Sequence, residues 1–378
     1  MRRFIVLLMS VLMVGQAAWG AASAVPAVAG PAAGVPQAVE AEPDRLPAYQ
    51  PRFGRARPVV AVVAENYYTE LSDYVVPYGI LSASNAADVH ALATQPGTVR
   101  MFPASLTLTP QATTDDFDRR FPEGADYVIV PAVHRDDDPK LLAWVAAQAR
   151  KGATVVGVCD GVWVLARAGL LEGRNATGHW YSFDDLRKAY PKTQWLRGKR
   201  YVADGKVVTT TGVTATIPVS FGLVEAIEGR ERAVALARSL GIERWSSVHP
   251  SERFHLGLSS MLTIARNYAS FWSHENIGIP VAPGVDEIAL VLEADAFATT
   301  FRSTVYTVSQ NREPIVTKRG LTIVPDRVAN VDAPRRMLAV PRTERPLRAL
   351  DEALGRIATS FGQRTAAWVR LQMEYSGF

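Results

Sequence analysis

The sequence predicts an α/β fold: a parallel sheet covered on both faces by helices, then a helical connector, then a truncated second α/β copy. Three observations predict it. Apolar β-branched runs at 59–64, 126–133 and 153–158 alternate with segments of helical period, as a buried parallel sheet requires. The third run enters Gly157-Val158-Cys159-Asp160-Gly161 and a helical pattern follows at once, giving a strand, a sharp turn and a helix with a sulfur at its tip. Finally, three segments of the first half recur in the same order near the C-terminus.

The chain has 378 residues, 48% hydrophobic and 21% charged, which is globular and long enough for two domains. Its 41 basic and 37 acidic residues are scattered, so the net charge of +4 points to no nucleic-acid partner. A small-molecule substrate or ligand is expected instead, with no nucleic acid, no cofactor and no metal; a homodimer is left open. No phosphate-cradling glycine loop is present, and no Cys/His/carboxylate group has metal-ligand spacing.

Met1 to Ala24 reads as a signal peptide, with Arg2 and Arg3 before an apolar centre at Phe4 to Val14 and a small-residue site at Ala22-Ser23-Ala24. That centre is shorter than the ~20 residues that span a bilayer. A periplasmic or secreted protein is expected; the alternative is a membrane anchor through an uncleaved N-terminal helix. Val25 to Arg57, rich in Ala, Pro and Gly, reads as a flexible tether. Cys159, the one cysteine, has no partner for a disulfide within the chain.

The main domain is expected over 58–242. Val59 to Ala64 is a buried strand, and Glu70 to Leu92 has mostly helical spacing. Val99 to Phe102 and Leu106 to Thr109 are short strands, Asp126 to Val133 a buried one, and Pro139 to Lys151 an amphipathic helix. Tyr201 to Ala203 and Val207 to Thr210 pair around Asp204-Gly205, and Ala215 to Leu240 forms one or two closing helices. A helical, aromatic connector is expected over 243–285 and the partial repeat over 286–378. In that repeat Glu287 to Glu293 parallels Val59 to Glu65, Gly320 to Pro325 parallels Ser105 to Pro110, and Met337 to Pro341 parallels Tyr127 to Pro131. The second copy lacks a cysteine, so chemistry is assigned to the first.

The text Val158 to Trp180, VCDGVWVLARAGLLEGRNATGHW, together with Tyr201 to Lys206 and Thr211 to Ala215, resembles the ThiJ/PfpI superfamily. The similarity is greatest to the branch of isocyanide hydratases and amidase-like domains of AraC-type regulators. The resemblance implies a flavodoxin-like, class I glutamine amidotransferase-like sandwich with Cys159 on a nucleophile elbow. It also implies an acid four residues before a proline; Asp73, before Pro77, has that spacing, with Glu70 and Glu65 as substitutes. The helix N-terminus after Cys159 favours a thiolate, and the backbone N–H of Asp160 is placed to donate to an oxyanion. Two departures carry consequences. Asp160 stands where this branch commonly has threonine, and a carboxylate beside sulfur raises the thiol pKa. Val130-Pro131-Ala132-Val133 replaces a glycine-rich pair that would supply a second donor.

Other histidines are assigned bland roles. His179 belongs to a structural block, His134 follows the third strand where a ligand could touch it, and His249-Pro250-Ser251-Glu252 lies outside the position of an amidotransferase triad. Three functions are consistent with the residues. The first is a cysteine-dependent hydrolase or hydratase acting on a small amide, isocyanide or reactive carbonyl. The second is a non-enzymatic ligand-binding or redox-sensing protein, and the third a protein related to transcriptional regulators.

Overall fold

The structure, a computed structural model, describes residues 45–341 and 344–377. The signal segment expected over 1–24 and the tether residues 25–44 lie outside the described residues. Residues 45–57, the rest of the expected tether, contain no helix or strand but are hydrogen-bonded to the domain: Arg52 Nη1 donates to the Gly152 carbonyl at 2.6 Å, and Arg55 Nη1 to Asp126 Oδ2 at 2.9 Å.

Strand β1 (Val59–Ala64) is buried along its whole length. Helix α1 (Leu71–Ser84) follows, capped by Glu70, whose side chain accepts from the Asp73 N–H, and ended by Asn85 in the left-handed conformation. That ending corrects the helical reading through Leu92, because Asp88–Ala93 is strand β2. Strands β3 (Val99–Phe102), β4 (Thr107–Thr109), β5 (Ala112–Thr113) and β6 (Tyr127–Val130) come next. Helix α2 (Pro139–Arg150) starts with proline in its first turn, where a missing N–H costs nothing, and with Asp138 accepting from the Leu141 N–H. Strand β7 (Thr154–Gly157) leads into helix α3 (Gly161–Arg167). Strands β8 (Tyr201–Asp204) and β9 (Val207–Thr210) form the expected antiparallel pair. Helix α4 (Thr216–Glu228) and a helix at Arg230–Leu240, separated by Gly229, close the domain. The seven strands form one sheet in the order β8-β9-β7-β6-β1-β2-β5, parallel except for β8.

After a helix at Leu258–Ala269 the plan starts again. It runs through strand β10 (Glu275–Pro280), helix α5 (Glu287–Ala298), β11 (Ser303–Ser309), β12 (Thr322–Val324), β13 (Arg327–Val328) and β14 (Arg336–Met337). Helices α6 (Ala349–Phe361) and α7 (Gln363–Gln372) end it. Strands β13-β11-β10-β14 are all parallel and connected as β5-β2-β1-β6 are in the first half. The two halves therefore share this strand order, and the register expected for the repeat is corrected. The counterpart of β1 is β10, inside the expected connector, and Glu287 to Glu293 is helix rather than strand. Every residue of α5 is buried. A helix covered on all sides shows no apolar stripe, so EIALVLE reads like a buried strand. The expected strand at Met337 to Pro341 is reduced to Arg336–Met337.

The two halves face each other. Strands β4 and β12 pair antiparallel with Thr107 opposite Val324, Leu108 opposite Ile323 and Thr109 opposite Thr322. Because 105–110 and 320–325 are matched segments, this is the self-complementary contact of a two-fold pair, made within one chain. Helix α1 lies against α5, and Gly79 permits it: a Cβ there would sit 2.6 Å from Ile288 Cγ1. Helix propensity alone would make Gly79→Val stabilising by a few tenths of a kcal/mol. Overpacking against Ile288 should reverse the sign and cost about 1–3 kcal/mol in chemical denaturation; an unchanged or raised stability would contradict the helix contact.

Candidate active site

Cys159 follows β7 with φ of +52°, a left-handed conformation that non-glycine residues adopt only under constraint. The flanking glycines do not take the positive φ themselves; they permit close packing. A Cβ on Gly161 would lie 2.1 Å from the Val130 carbonyl oxygen, and one on Gly157 would lie 2.9 Å from the Leu165 side chain. The Cys159 N–H donates to Thr210 Oγ1 at 3.1 Å, which ties the elbow to the end of β9.

The thiol is only 6% exposed. Burial pushes its pKa well above the ordinary value, and the carboxyl groups of Asp73, Asp160 and Glu70 push it further. A hydrogen bond from the Asp160 N–H acts in the opposite direction and is outweighed. This corrects the expectation of a thiolate favoured by the helix N-terminus. Desolvation and like charge dominate a dipole from a helix of two turns, and the sulfur is held as a neutral thiol. The Asp160 N–H expected to serve an oxyanion is directed at the sulfur in this state.

Asp73 lies in the first turn of α1 and is fully buried. Burial raises its pKa to about 8, against an opposing hydrogen bond from the Ala132 N–H to Oδ2 at 3.2 Å. That bond also shows where the 130–133 segment directs an amide: to the acid. Asp73 Oδ1 has no hydrogen-bond partner among the described residues. Of the substitutes, Glu65 accepts from the Tyr67 and Tyr68 N–H groups and closes its own turn. Glu70 caps α1 through a 2.5 Å bond from the Asp73 N–H.

One further acid, Asp295 of α5, was not among the residues singled out from the sequence. Its Oδ2 accepts from Ser72 Oγ at 2.6 Å, and its side chain shares a hydrogen bond with Glu70. Two carboxyl groups make such a bond only when one holds a proton. Glu70, pushed well above its usual range first by burial and then by Asp73 and Asp295, is the one that holds it. Burial also raises Asp295, against hydrogen bonds from Glu70, Ser72 and Thr299. With Asp286 capping α5 as Glu70 caps α1, Asp295 aligns with Gly79, so the repeat offers no matching acid.

Phe102, Tyr68 and His134 form an aromatic cluster, with ring centroids 4.3 Å apart for Phe102–His134 and 5.0 Å for Tyr68–His134. His179 is buried, and its Nε2 donates to the Gln372 carbonyl at 3.0 Å, a structural role. Among the described residues no group of three or more His, Cys, Asp or Glu is placed to hold a metal ion.

Two outcomes are expected. Asp160→Asn removes one of the charges that raise the thiol, so its alkylation by iodoacetamide at about pH 8 should quicken several-fold; an unchanged rate would contradict the electrostatic account. Asp73 has a folded-state pKa above its unfolded value of about 3.9. Its neutral burial therefore contributes stability that is full below about pH 4 and is lost as pH rises through about 8. Between about pH 5 and pH 9 the unfolding free energy should fall less in Asp73→Asn than in the wild type, and equal falls would contradict the raised pKa.

The DJ-1/PfpI family profile matches residues 58–226. The HTH-type transcriptional regulator GbdR of Pseudomonas aeruginosa is 30% identical over 154 residues, 40% of this chain and 40% of that protein. Isonitrile hydratase of Pseudomonas putida is 36% identical over 98 residues, 26% of this chain and 41% of that protein. The matches thus span about two fifths of each relative. A solved THiJ/PfpI family protein from Pseudomonas syringae aligns with a TM-score of 0.47 and 20% identity, over 61% of this chain and 95% of that one. Residues 58–226, which carry the elbow at Cys159, are a DJ-1/PfpI (ThiJ) family domain.

Proposed function

We propose that this protein is a cysteine-dependent hydrolase or hydratase acting on a small amide, isocyanide or reactive carbonyl, and that it works from a neutral thiol and a protonated carboxyl group. The observation that carries this reading is Asp73, buried beside Cys159 and protonated up to about pH 8. A general acid is most effective when its pKa lies near the working pH. As Sγ bonds to the electrophilic carbon, Asp73 gives its proton to the carbonyl oxygen, or to the terminal carbon of an isocyanide, and takes up the thiol proton. The net step adds S–H across the carbonyl, or at the isocyanide carbon, and leaves Asp73 neutral. With an amide, the C–N bond of this adduct then breaks as the carbonyl re-forms, and the hydroxyl proton leaves with the amine. Water attacks the carbon of the resulting thioester, or of the thioimidate formed from an isocyanide; the C–S bond breaks, one water proton returns to sulfur, and in the isocyanide case the other goes to nitrogen. The Asp160 N–H, already at the sulfur, would follow charge that develops there. The aromatic cluster of Phe102, Tyr68 and His134 suits a flat or unsaturated group.

The similarity to HTH-type regulators supports a second reading, a ligand-sensing domain whose elbow binds without turnover. The raised thiol pKa disfavours oxidation and unassisted nucleophilic attack alike, because both use the thiolate, so the enzyme reading depends on Asp73 taking up the thiol proton as the C–S bond forms. The Met1–Ala24 pattern supports action outside the cytoplasm.

On a panel of amides, isocyanides and glyoxals, Cys159→Ala should abolish turnover and Asp73→Asn should lower kcat by about 10²–10⁴-fold. The wild-type rate should fall as pH rises through about 8, following loss of the Asp73 proton. Turnover retained by Cys159→Ala would overturn the enzyme assignment. Salt-dependent binding of DNA by a catalytically silent protein would favour the second reading.

A further inference from the structure

The last residues of α7 and those after it leave the second half and cross onto the first. Trp180 Nε1 donates to the Leu371 carbonyl at 2.9 Å and His179 Nε2 to the Gln372 carbonyl at 3.0 Å. The Thr214 N–H donates to the Met373 carbonyl at 3.2 Å, and Thr214 Oγ1 to the Glu374 carbonyl at 2.9 Å. Arg200 Nη2 then holds Ser376 Oγ at 2.7 Å and the Gly377 carbonyl at 2.9 Å. The segments so covered, 179–180 and 212–214, belong to the carboxyl-end edge of the parallel sheet, where α/β proteins bind ligands. Residues 212–214 begin two positions after Thr210, the residue that holds the Cys159 N–H.

Glu374 is the centre of this contact. It is 2% exposed and adopts φ of +56°, a conformation unfavourable for glutamate. Its Oε2 accepts from the Gly212 N–H at 2.7 Å and the Trp180 N–H at 3.3 Å, and its Oε1 from His249 Nε2 at 2.8 Å. His249 is buried, stacks on Phe254 at 4.8 Å, and its Nδ1 has no partner among the described residues. Two backbone amides and an imidazole from three separate segments thus converge on one carboxylate. Gly212 has an ordinary φ of −70°, yet a Cβ there would lie 2.6 Å from Glu374 Cβ and 2.9 Å from His179 Cδ2. The missing side chain at 212 is what admits the carboxylate.

We propose that residues 371–377 are a strap across the ligand edge, and that the Gly212, Trp180 and His249 donors form a carboxylate-binding site which Glu374 occupies in cis. The site takes small carboxylates when the strap is withdrawn, and the strap holds the 210–214 loop, and with it the elbow, closed. The inference builds on the elbow reading but is independent of turnover.

The test is amide hydrogen exchange at 211–214 together with iodoacetamide labelling of Cys159 in the full chain. Losing a charge-assisted acceptor should make both at least about tenfold faster in Glu374→Ala. Added sodium acetate should slow both towards the wild-type rate, because acetate refills the cradle. Gly212→Ala, which leaves Glu374 intact but denies it room, should speed both without a response to acetate. Unchanged exchange in both folded variants would overturn the strap, and acceleration of Glu374→Ala that ignores acetate would overturn the carboxylate site. If Glu374→Ala does not fold, Glu374→Gln decides by the same readouts, with a smaller acceleration expected and equality with the wild type counting against the proposal. An inactive wild type with these exchange results intact would overturn only the proposed enzyme.

Discussion

Glu70, Asp73 and Asp295 are buried together where the N-terminus of α1 meets α5, at 4%, 0% and 2% exposure. Ionising all three would place like charges side by side in a medium that solvates them poorly. The available remedies are protons and hydrogen bonds, and the site uses both. Glu70 holds a proton against Asp295, Ser72 donates to Asp295, and Ala132 donates to Asp73. Asp73 Oδ1 and Glu70 Oε1 are buried without a hydrogen-bond partner among the described residues, and the thiol beside Asp73 stays neutral.

The second half gives this cluster its setting. The α1–α5 contact and the β4–β12 ladder are what two copies of one domain would make across a two-fold axis. The two sides are not equivalent. In the second half the capping acid Asp286 and its neighbour Glu287 are neutralised by Arg319, at 3.1 and 2.7 Å, and no elbow follows among the described residues. Nor does the first half return the carboxyl group of Asp295, since Gly79 stands against the start of α5. One side of the pair keeps uncompensated acids facing a cysteine; the other is an ordinary buried ion pair. The second half thus completes a site that it does not duplicate, and its last residues also reach the edge beside that site.

Much of the first domain was legible in the sequence because its signals are local. Pro139 and Asp138 mark a helix start, Gly205 a hairpin, and the bracket around Cys159 an elbow. Asp73 was singled out through the family resemblance, which implies an acid four residues before a proline such as Pro77. The misses share a physical cause: they depend on what lies opposite. Helix α5 has no apolar stripe because both of its faces are covered, and this hid the register of the repeat. The thiolate expected from a helix N-terminus fails because the dipole is a local term, whereas desolvation is set by the whole surrounding packing. Glu374 lies more than two hundred residues from Cys159, and nothing in its own neighbourhood marks it as a partner of Gly212.

The account turns on the protonation of Asp73. A ¹³C NMR titration of the aspartate side-chain carbons, with Asp73→Asn assigning the resonance, reads it directly at the atom concerned. The account requires the Asp73 carboxyl carbon to titrate with a midpoint near about 8, the value to which burial raises it. A midpoint in the ordinary aspartate range near about 4 would contradict it, and would leave the elbow without the acid on which its proposed chemistry depends.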